Sequence, residues 1–217
     1  MHVKPIIDDV LQNHDGVDPT DAAATPRINK LLFFLQDVND YVHNYREWEW
    51  TFTEGNVTIP TNQNYGAYPT NFMEFGRNGG LWDPSRHIRL HEESRYRIER
   101  YRNETLVSLA SAQVFGNWGG QIQLPFTNTG GTITYLAFYR QAPDILIYDN
   151  STVLQMPDKY RYLIMTRGLV ARAQQSKQDA RGDWRDSLIN GLSLMCATEN
   201  PRKTSLQKFP ASVRGAW

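Results

Sequence analysis

The chain has 217 residues and no formal net charge, and 40% of its residues are hydrophobic and 12% aromatic. This composition is typical of a folded globular protein with one substantial core. The single cysteine, Cys196, excludes a disulfide framework and a thiolate metal site, and we expect it to be a buried small hydrophobe. Because we find no signal peptide and no apolar run of about 18 residues, we expect a reducing compartment and no membrane span.

The charges are unevenly distributed along the chain. Residues 1–50 contain nine acids and four bases, whereas residues 159–217 contain eleven bases and four acids. Such a split favours contact between opposite ends of identical subunits, or between the basic end and a nucleic acid. Charge alone leaves both possibilities open.

Two helices are predicted near the amino terminus. A short one begins at Pro5 and ends before Gly16, and a linker follows it. Thr25 is expected to be the N-cap of a long helix that has Pro26 in its first turn. Apolar residues then recur at spacings of three and four, which predicts one buried helical face: Ile28, Leu31, Leu32, Leu35, Val38, Val42 and Tyr45.

The pattern changes to a period of two at Trp48, Trp50 and Phe52, which predicts a strand. We expect a hairpin to follow, with strands at 56–59 and 65–68 joined by a polar turn. Further strands are predicted at 71–77, 86–91, 112–115, 121–126 and 132–140, with a charged surface helix at 92–102. Short strands at this spacing predict a small antiparallel sheet or sandwich.

Helical spacing returns at Pro157, and Asp183 is the expected N-cap of a last helix that stops before Pro201. We therefore predict an α+β fold in which N- and C-terminal helices form a bundle, with a small antiparallel β subdomain inserted between them and an extended C-terminal tail. The predicted divisions are 1–47 and 157–200 for the bundle, 48–156 for the β subdomain and 201–217 for the tail.

No catalytic set emerges from the sequence. His87 and His91 would lie about 13 Å apart on a strand, too far to share a metal ion. Phosphate-binding glycine loops and the Gly-x-Ser-x-Gly motif do not occur. We expect no enzymatic activity, no metal and no cofactor.

The densest basic cluster is a set of six arginines: Arg86, Arg89, Arg95, Arg97, Arg100 and Arg102. Arginines in such density indicate phosphate contacts along a DNA path, but Glu92, Glu93 and Glu99 lie among them. We favour salt bridges within or between subunits, while a channel-lining role stays open. Aromatic residues could also form a stacking platform for a sugar or a base, although at strand spacing they are more often core: Trp48, Trp50, Tyr65, Tyr68, Trp82 and Trp118.

The order of these features resembles the head-to-tail adaptor (connector) proteins of tailed bacteriophages. In that family a W-x-F strand start follows the first long helix, and later turns carry Y-x-L-P, Y-x-x-x-P and P-x-x-Y. Four stretches occupy the corresponding places: 48–52, 65–69, 139–143 and 157–160. The second departs from the family pattern, since Tyr68 precedes Pro69 where leucine is more usual.

The resemblance implies a structural virion protein of the neck, assembled in the host cytoplasm into a ring of usually twelve subunits. That homo-oligomer would dock beneath the portal protein, carry the tail, nozzle or next neck protein, and let double-stranded DNA pass without sequence preference. The basic tail would bind the portal. Its apolar anchors and cationic contacts would be Phe209, Val213 and Trp217, with Lys203, Lys208 and Arg214.

Two other classes of protein remain. The first is a carbohydrate-binding or hydrolytic tail component, which predicts that Trp82 and Trp118 are exposed side by side near two facing carboxylates. The second is a DNA-binding module, which predicts that affinity falls steeply with salt concentration.

Overall fold

The computed structural model describes residues 2–77, 79–104, 113–176 and 183–199. The described residues form two compact units. Residues 2–51, 143–176 and 183–199 form one, which we call the helical unit, and the described residues within 52–142 form the other, which we call the sheet unit. The predicted division at 47/48 and 156/157 stays a prediction, and the predicted tail, 201–217, lies outside the described residues.

Five α-helices occur among the described residues: α1 (Val3–Val10), α2 (Thr25–Tyr45), α3 (Arg95–Asn103), α4 (Arg167–Ser176) and α5 (Ile189–Thr198). All but α3 belong to the helical unit. A π-helical segment, Leu11–Asp15, extends α1 and ends at Gly16, whose φ of 64° lies in the left-handed region that glycine tolerates. A second π-helical segment, Arg161–Thr166, leads directly into α4.

The long predicted helix is confirmed as α2, and most of its apolar stripe is buried, although Leu32 is only half-buried and Tyr45 is 45% exposed. Its start differs by one residue, because Ala24 is the N-cap and Thr25 is already helical. The Thr25 hydroxyl donates a hydrogen bond to the carbonyl of Ala22, 3.0 Å away, so it does not cap the helix. The predicted N-cap Asp183 is confirmed, since its carboxylate accepts a hydrogen bond from the Arg185 amide at 3.1 Å.

The prediction of a strand starting at Trp48 is wrong. Residues Glu49–Thr51 form a 3₁₀ turn, and the strand begins only at Phe52. The Trp48 indole is buried in the helical core, where its Nε1–H donates to the Val42 carbonyl at 2.7 Å. The only hydrogen-bond donor of the indole is therefore satisfied at the end of α2, and Trp48 belongs to the helical core rather than to the sheet.

Eight strands make up the sheet: β1 (Phe52–Ile59), β2 (Tyr65–Ala67), β3 (Phe72–Glu74), β4 (Gly80–Asp83), β5 (Ile88–Glu92), β6 (Val114–Trp118), β7 (Gln121–Gln123) and β8 (Ile133–Gln141). Their order is β1-β8-β4-β5-β6-β7-β2, with β3 also paired to β8. Pairing is antiparallel except between β5 and β6. The core side chains come from alternate positions along the strands, which place them on one face of the sheet, and they include Val57, Tyr135 and Leu81.

The predicted hairpin between the strands at 56–59 and 65–68 is also wrong, because β1 pairs with β8 and β2 pairs with β7. The buried Asn128 explains the turn between β1 and β2. Its backbone carbonyl accepts from Asn62 and its amide donates to Gln63. Its side-chain amide donates to the carbonyls of Ile59, Pro60 and Gly131 at 2.9–3.2 Å. The turn is thus held by a distant loop rather than by a hairpin partner.

The predicted fold class is therefore incorrect. The protein is a mixed α/β fold rather than a helical bundle with a small antiparallel β subdomain. The sheet is large because β1 and β8, which are distant in sequence, pair over eight residues. It is also nearly closed, since Gly66 of β2 lies directly against Thr58 of β1. Strand order of this kind depends on long-range pairing, which local spacing does not encode.

Candidate functional site

The six predicted arginines do not form a single cluster. Arg95, Arg97 and Arg100 lie exposed on α3, and each pairs with a glutamate one helical turn away. The N–O distances are 2.7 Å to Glu99, 2.8 Å to Glu93 and 2.6 Å to Glu104, respectively. Residues 92–104 contain four glutamates and four arginines, so this surface has no net charge. The exposed arginines therefore offer paired rather than uncompensated positive charge.

The remaining three arginines hold the sheet unit together. Arg86 donates to the buried carboxylate of Asp83 at 2.7 Å, and Arg89 donates to the Gly79 carbonyl. Arg102 donates twice to the Leu124 carbonyl, at 2.7 and 2.9 Å, and once to Gln123 at 3.0 Å. Burial lowers the pKa of the Arg102 guanidinium below its ordinary value. These contacts are structural, and the interface or channel role of the six arginines stays a prediction.

Within the sheet unit, Trp82 and Trp118 do not form an open stacking platform. Trp82 is only 6% exposed, and the Trp118 ring lies over Gly116, where a Cβ atom would come within 1.8 Å of it. The Tyr68 ring stacks on Phe72 with the centroids 4.0 Å apart. Burial, with a smaller effect from the nearby Glu92 charge, raises the pKa of Tyr68 to about 12. Trp82 and Trp118 thus lack the paired exposure that a sugar-binding surface requires.

The histidines have different backbone settings from those predicted. His87 lies in a turn with φ of 57°, and only His91 lies on β5. Within the described ranges, no group of three or more His, Cys, Asp or Glu side chains is arranged to hold a metal ion. The six predicted tail residues, Lys203, Lys208, Phe209, Val213, Arg214 and Trp217, lie outside those ranges.

Sequence reasoning missed an open groove in the helical unit, which we call the α4 groove. Its volume is about 400 Å³, and eight residues line it: His14, Tyr162, Thr166, Arg167, Val170, Ala171, Gln174 and Ser187. His14 belongs to the first π-helical segment, and Tyr162 and Thr166 belong to the second. Segments of π-helix are frequent at functional sites. The only sequence signal is the four-residue spacing of Tyr162, Thr166, Val170 and Gln174.

The groove is poor in charge and contains a buried hydroxyl. Thr166 is 7% exposed, and its Oγ1 has no hydrogen-bond partner in the part of the chain that the structure describes. Among the lining residues that the structure describes, Arg167 is the only Asp, Glu, Lys or Arg. With one charged side chain among its described lining residues, the groove has little to pair with a highly charged ligand.

A comparison with models of protein families shows which family the chain belongs to. The family model described as SU10 adaptor protein matches residues 5–214, which include nearly the whole chain. The chain belongs to this adaptor family. It is a family of phage head-tail adaptors, so the resemblance drawn from the sequence is confirmed. No curated protein sequence matches the chain significantly.

The adaptor is therefore a structural protein of bacteriophages. The match covers both compact units, so neither unit is an addition to the family pattern. Among the described residues of the adaptor, no helix combines the length and the hydropathy that a membrane span needs.

Proposed function

We propose that the adaptor forms a ring, of twelve copies by the family resemblance, that docks beneath the portal and joins the capsid to the tail. The observation that carries this proposal is the family match over residues 5–214, which reaches both units and most of the predicted tail. The ring would bind the portal on one side and a tail, nozzle or further neck protein on the other. Its role is mechanical rather than enzymatic, and its place is the neck of the virion.

The tail is the proposed portal contact. Residues 201–217 contain four bases and no acids, with Phe209, Val213 and Trp217 as widely spaced apolar residues. A basic segment with few apolar residues cannot bury enough apolar surface to form a core alone, so its proposed role is to bind the surface of another protein. Aromatic anchors in such segments supply most of the binding energy, and the charges supply steering and register.

The exposed arginines of α3 are the proposed interface or channel residues. Their glutamate partners are Glu99 on the same helix and Glu93 and Glu104 at its two ends, so a neighbouring subunit could exchange partners with little loss of charge compensation. A neutral surface also suits a channel through which DNA passes without being held. Both roles are compatible with a ring through which the genome is packaged and ejected.

The proposal is tested by removing the tail. A chain lacking residues 202–217 should fold with unchanged circular dichroism and unfolding midpoint, but it should no longer sediment with portal-bearing heads. The matched control is a full-length chain in which Thr204 and Ser205 are replaced by alanine, which keeps every proposed anchor and should still attach. Attachment of the truncated chain at the level of the full chain would contradict the tail's role.

A further inference from the structure

One stretch of the helical unit, residues 144–153, combines exposed apolar side chains with acidic charge, and we call it the acidic strip. Ile145 is 83% exposed, Ile147 57% and Val153 46%. The strip contains two aspartates and no lysine or arginine. Single exposed apolar residues are common on protein surfaces, but several in one short segment indicate a binding surface.

The strip is fixed to the helical unit by its backbone. The Leu146 amide donates to the Gln36 side chain at 2.9 Å, and the Gln36 side chain donates to the Asp144 carbonyl at 3.3 Å. The Leu146 side chain is buried, whereas Ile145 and Ile147 on either side of it are exposed, which is the alternation of an extended chain. The two isoleucines are therefore presented outward from a fixed backbone.

The aspartates of the strip have polar but uncharged partners. Asp144 accepts a hydrogen bond from the Gln155 side chain at 3.1 Å, and Asp149 accepts from Ser151 and Thr152. The Thr152 amide is the main cause that lowers the pKa of Asp149 to about 2. In the part of the chain that the structure describes, neither carboxylate has a lysine or arginine partner. The strip thus offers two uncompensated negative charges beside apolar side chains.

The tail, residues 201–217, has the complementary composition. It contains four bases and no acids, whereas the described part of the helical unit contains fifteen acids and nine bases. In the tail, Lys208 precedes Phe209 and Arg214 follows Val213, so basic and apolar residues are neighbours, as acidic and apolar residues are in the strip. Such a segment can cover apolar side chains and pair with carboxylates at the same time.

The tail also begins close enough to reach the strip. Glu199, the last described residue, lies 2.7 Å from the Lys159 ammonium and accepts from the Tyr160 hydroxyl at 3.1 Å. Val153 precedes Lys159 by six residues, which span at most about 20 Å, whereas the tail can extend to about 50 Å. A tethered segment has an effective concentration on the order of millimolar, so even a weak contact forms.

We propose that the tail of each copy binds the acidic strip of the same copy before the portal is met. Apolar side chains of the tail cover Ile145 and Ile147, and its bases pair with Asp144 and Asp149. The contact is weak enough for the portal to displace, so it adds little to the stability of the fold. Displacement by the portal rests on the proposed function, whereas binding to the strip does not.

Cross-linking within the full-length chain tests this contact. Cys196 is first replaced by alanine, after which Ser212→Cys marks the tail and Ile145→Cys marks the strip. The matched control has Leu194→Cys in place of Ile145→Cys, because Leu194 is 51% exposed on α5 and lies closer to Glu199 in sequence, with no acid next to it. A short bis-maleimide should link the tail to the strip roughly ten times more often than to the control position.

Isotope labelling shows which copy supplies the tail. The strip variant is prepared with light and with heavy nitrogen, and the two preparations are mixed, cross-linked and digested for mass spectrometry. The linked peptides should carry the same label at both ends. Random pairing of labels would show that a second copy occupies the strip, and equal yields at the strip and the control position would show that the tail has no preference. Either result would overturn the inference.

A charge substitution and salt test the physical basis of the contact. In the strip variant, Ile147→Lys places a positive charge beside the tail and should lower the yield of the link several-fold. Leu194→Lys is the control and should leave the yield unchanged, and both should keep the parent unfolding midpoint. Raising the salt concentration from ~0.05 M to ~0.5 M should also lower the yield, because salt screens the charges. A yield that ignores both changes would contradict the assignment of the strip.

Portal-bearing heads separate this inference from the proposed function. Heads added before the reagent should lower the yield of the link, and the parent chain should sediment with them. A link in the free chain without attachment of the parent chain would remove the proposed function and leave the strip contact standing. Attachment of the parent chain with equal links at the strip and the control position would do the reverse.

Discussion

The helical unit and the sheet unit each join segments that are distant in sequence, but by different means. In the helical unit, α4 packs on α2 through side chains. Gly168 lies against Val38, and Arg172 pairs with Asp37 at 2.9 Å. In the sheet unit, β1 and β8 are joined by backbone pairing over eight residues. Side-chain packing can adjust to a small change, whereas a backbone ladder with a fixed register cannot.

The surfaces of the two units also differ in charge. The helical unit contains the α4 groove, which has one charged side chain among its described lining residues, whereas the sheet unit contains the salt-bridged arginines of α3. Uncharged packed surfaces contribute most to the stability of an assembly, and exposed ion pairs contribute little. We therefore expect subunit contacts to depend more on the helical unit than on α3.

The largest effect is expected at the point where α2 meets the aromatic residues. Trp48→Ala removes a buried indole and its hydrogen bond to Val42, and should lower the free energy of unfolding by about 3–5 kcal/mol. Denaturant titration measures this loss, and hydrogen exchange locates it. Faster exchange should be concentrated in α1, α2 and α4. An equal increase in exchange throughout β1 and β8 would contradict the expectation that the loss of stability is concentrated in the helical unit.

The next largest effect compares two glycines. A Cβ atom on Gly66 would lie 2.6 Å from the backbone oxygen of Thr58, whereas on Gly168 it would lie 2.8 Å from the Cγ1 methyl of Val38. Gly66→Ala should therefore cost about 1–3 kcal/mol, because a strand must move. Gly168→Ala should cost less, since a side chain can shift and alanine gains about 1 kcal/mol of helix propensity over glycine.

The two substitutions control for each other, because both exchange glycine for alanine and change the unfolded chain equally. Thermal and urea unfolding of the two variants give the comparison directly. A larger loss for Gly168→Ala than for Gly66→Ala would contradict the view that the sheet is the less adaptable unit.

The sequence was informative wherever local spacing determines the structure. Helix α2 with most of its apolar stripe and the cap at Asp183 follow from residue type and interval. The partners of β1 and β2 do not, because the loop around Asn128 decides them from far along the chain. Trp48 misled the strand prediction, since alternating aromatics fit a strand and a buried cluster equally well.

The candidate surfaces show the same limit. Spacing alone brings Arg95, Arg97 and Arg100 onto one helix, and this was predictable. It does not show that Arg102 faces inward, because that depends on the Leu124 carbonyl at the end of β7. The α4 groove was not predictable either, because it depends on two π-helical segments from opposite ends of the sequence. Their backbone hydrogen bonding leaves no clear pattern in residue type.

The last comparison, which includes the smallest expected effect, is between the two kinds of arginine on α3. Arg102→Ala removes the donors that satisfy the Leu124 carbonyl and should cost about 1–3 kcal/mol. Arg97→Ala removes an exposed pair with Glu93 and should change stability by no more than about 0.5 kcal/mol. The two variants are matched, because each removes one arginine from the same helix. Urea unfolding measures the change in the free energy of unfolding for both variants, provided that the slope of this free energy against urea concentration stays the same as in the parent.

Arg102→Lys sharpens this last comparison. Lysine keeps the charge but cannot place two N–H groups on one carbonyl in the fixed fork of a guanidinium, so it should recover only part of the loss. If the lysine variant were as stable as the parent, charge rather than the paired hydrogen bonds would anchor α3. If Arg97→Ala proved as costly as Arg102→Ala, the exposed ion pairs would hold α3 in place and would not be available for exchange with a neighbouring subunit.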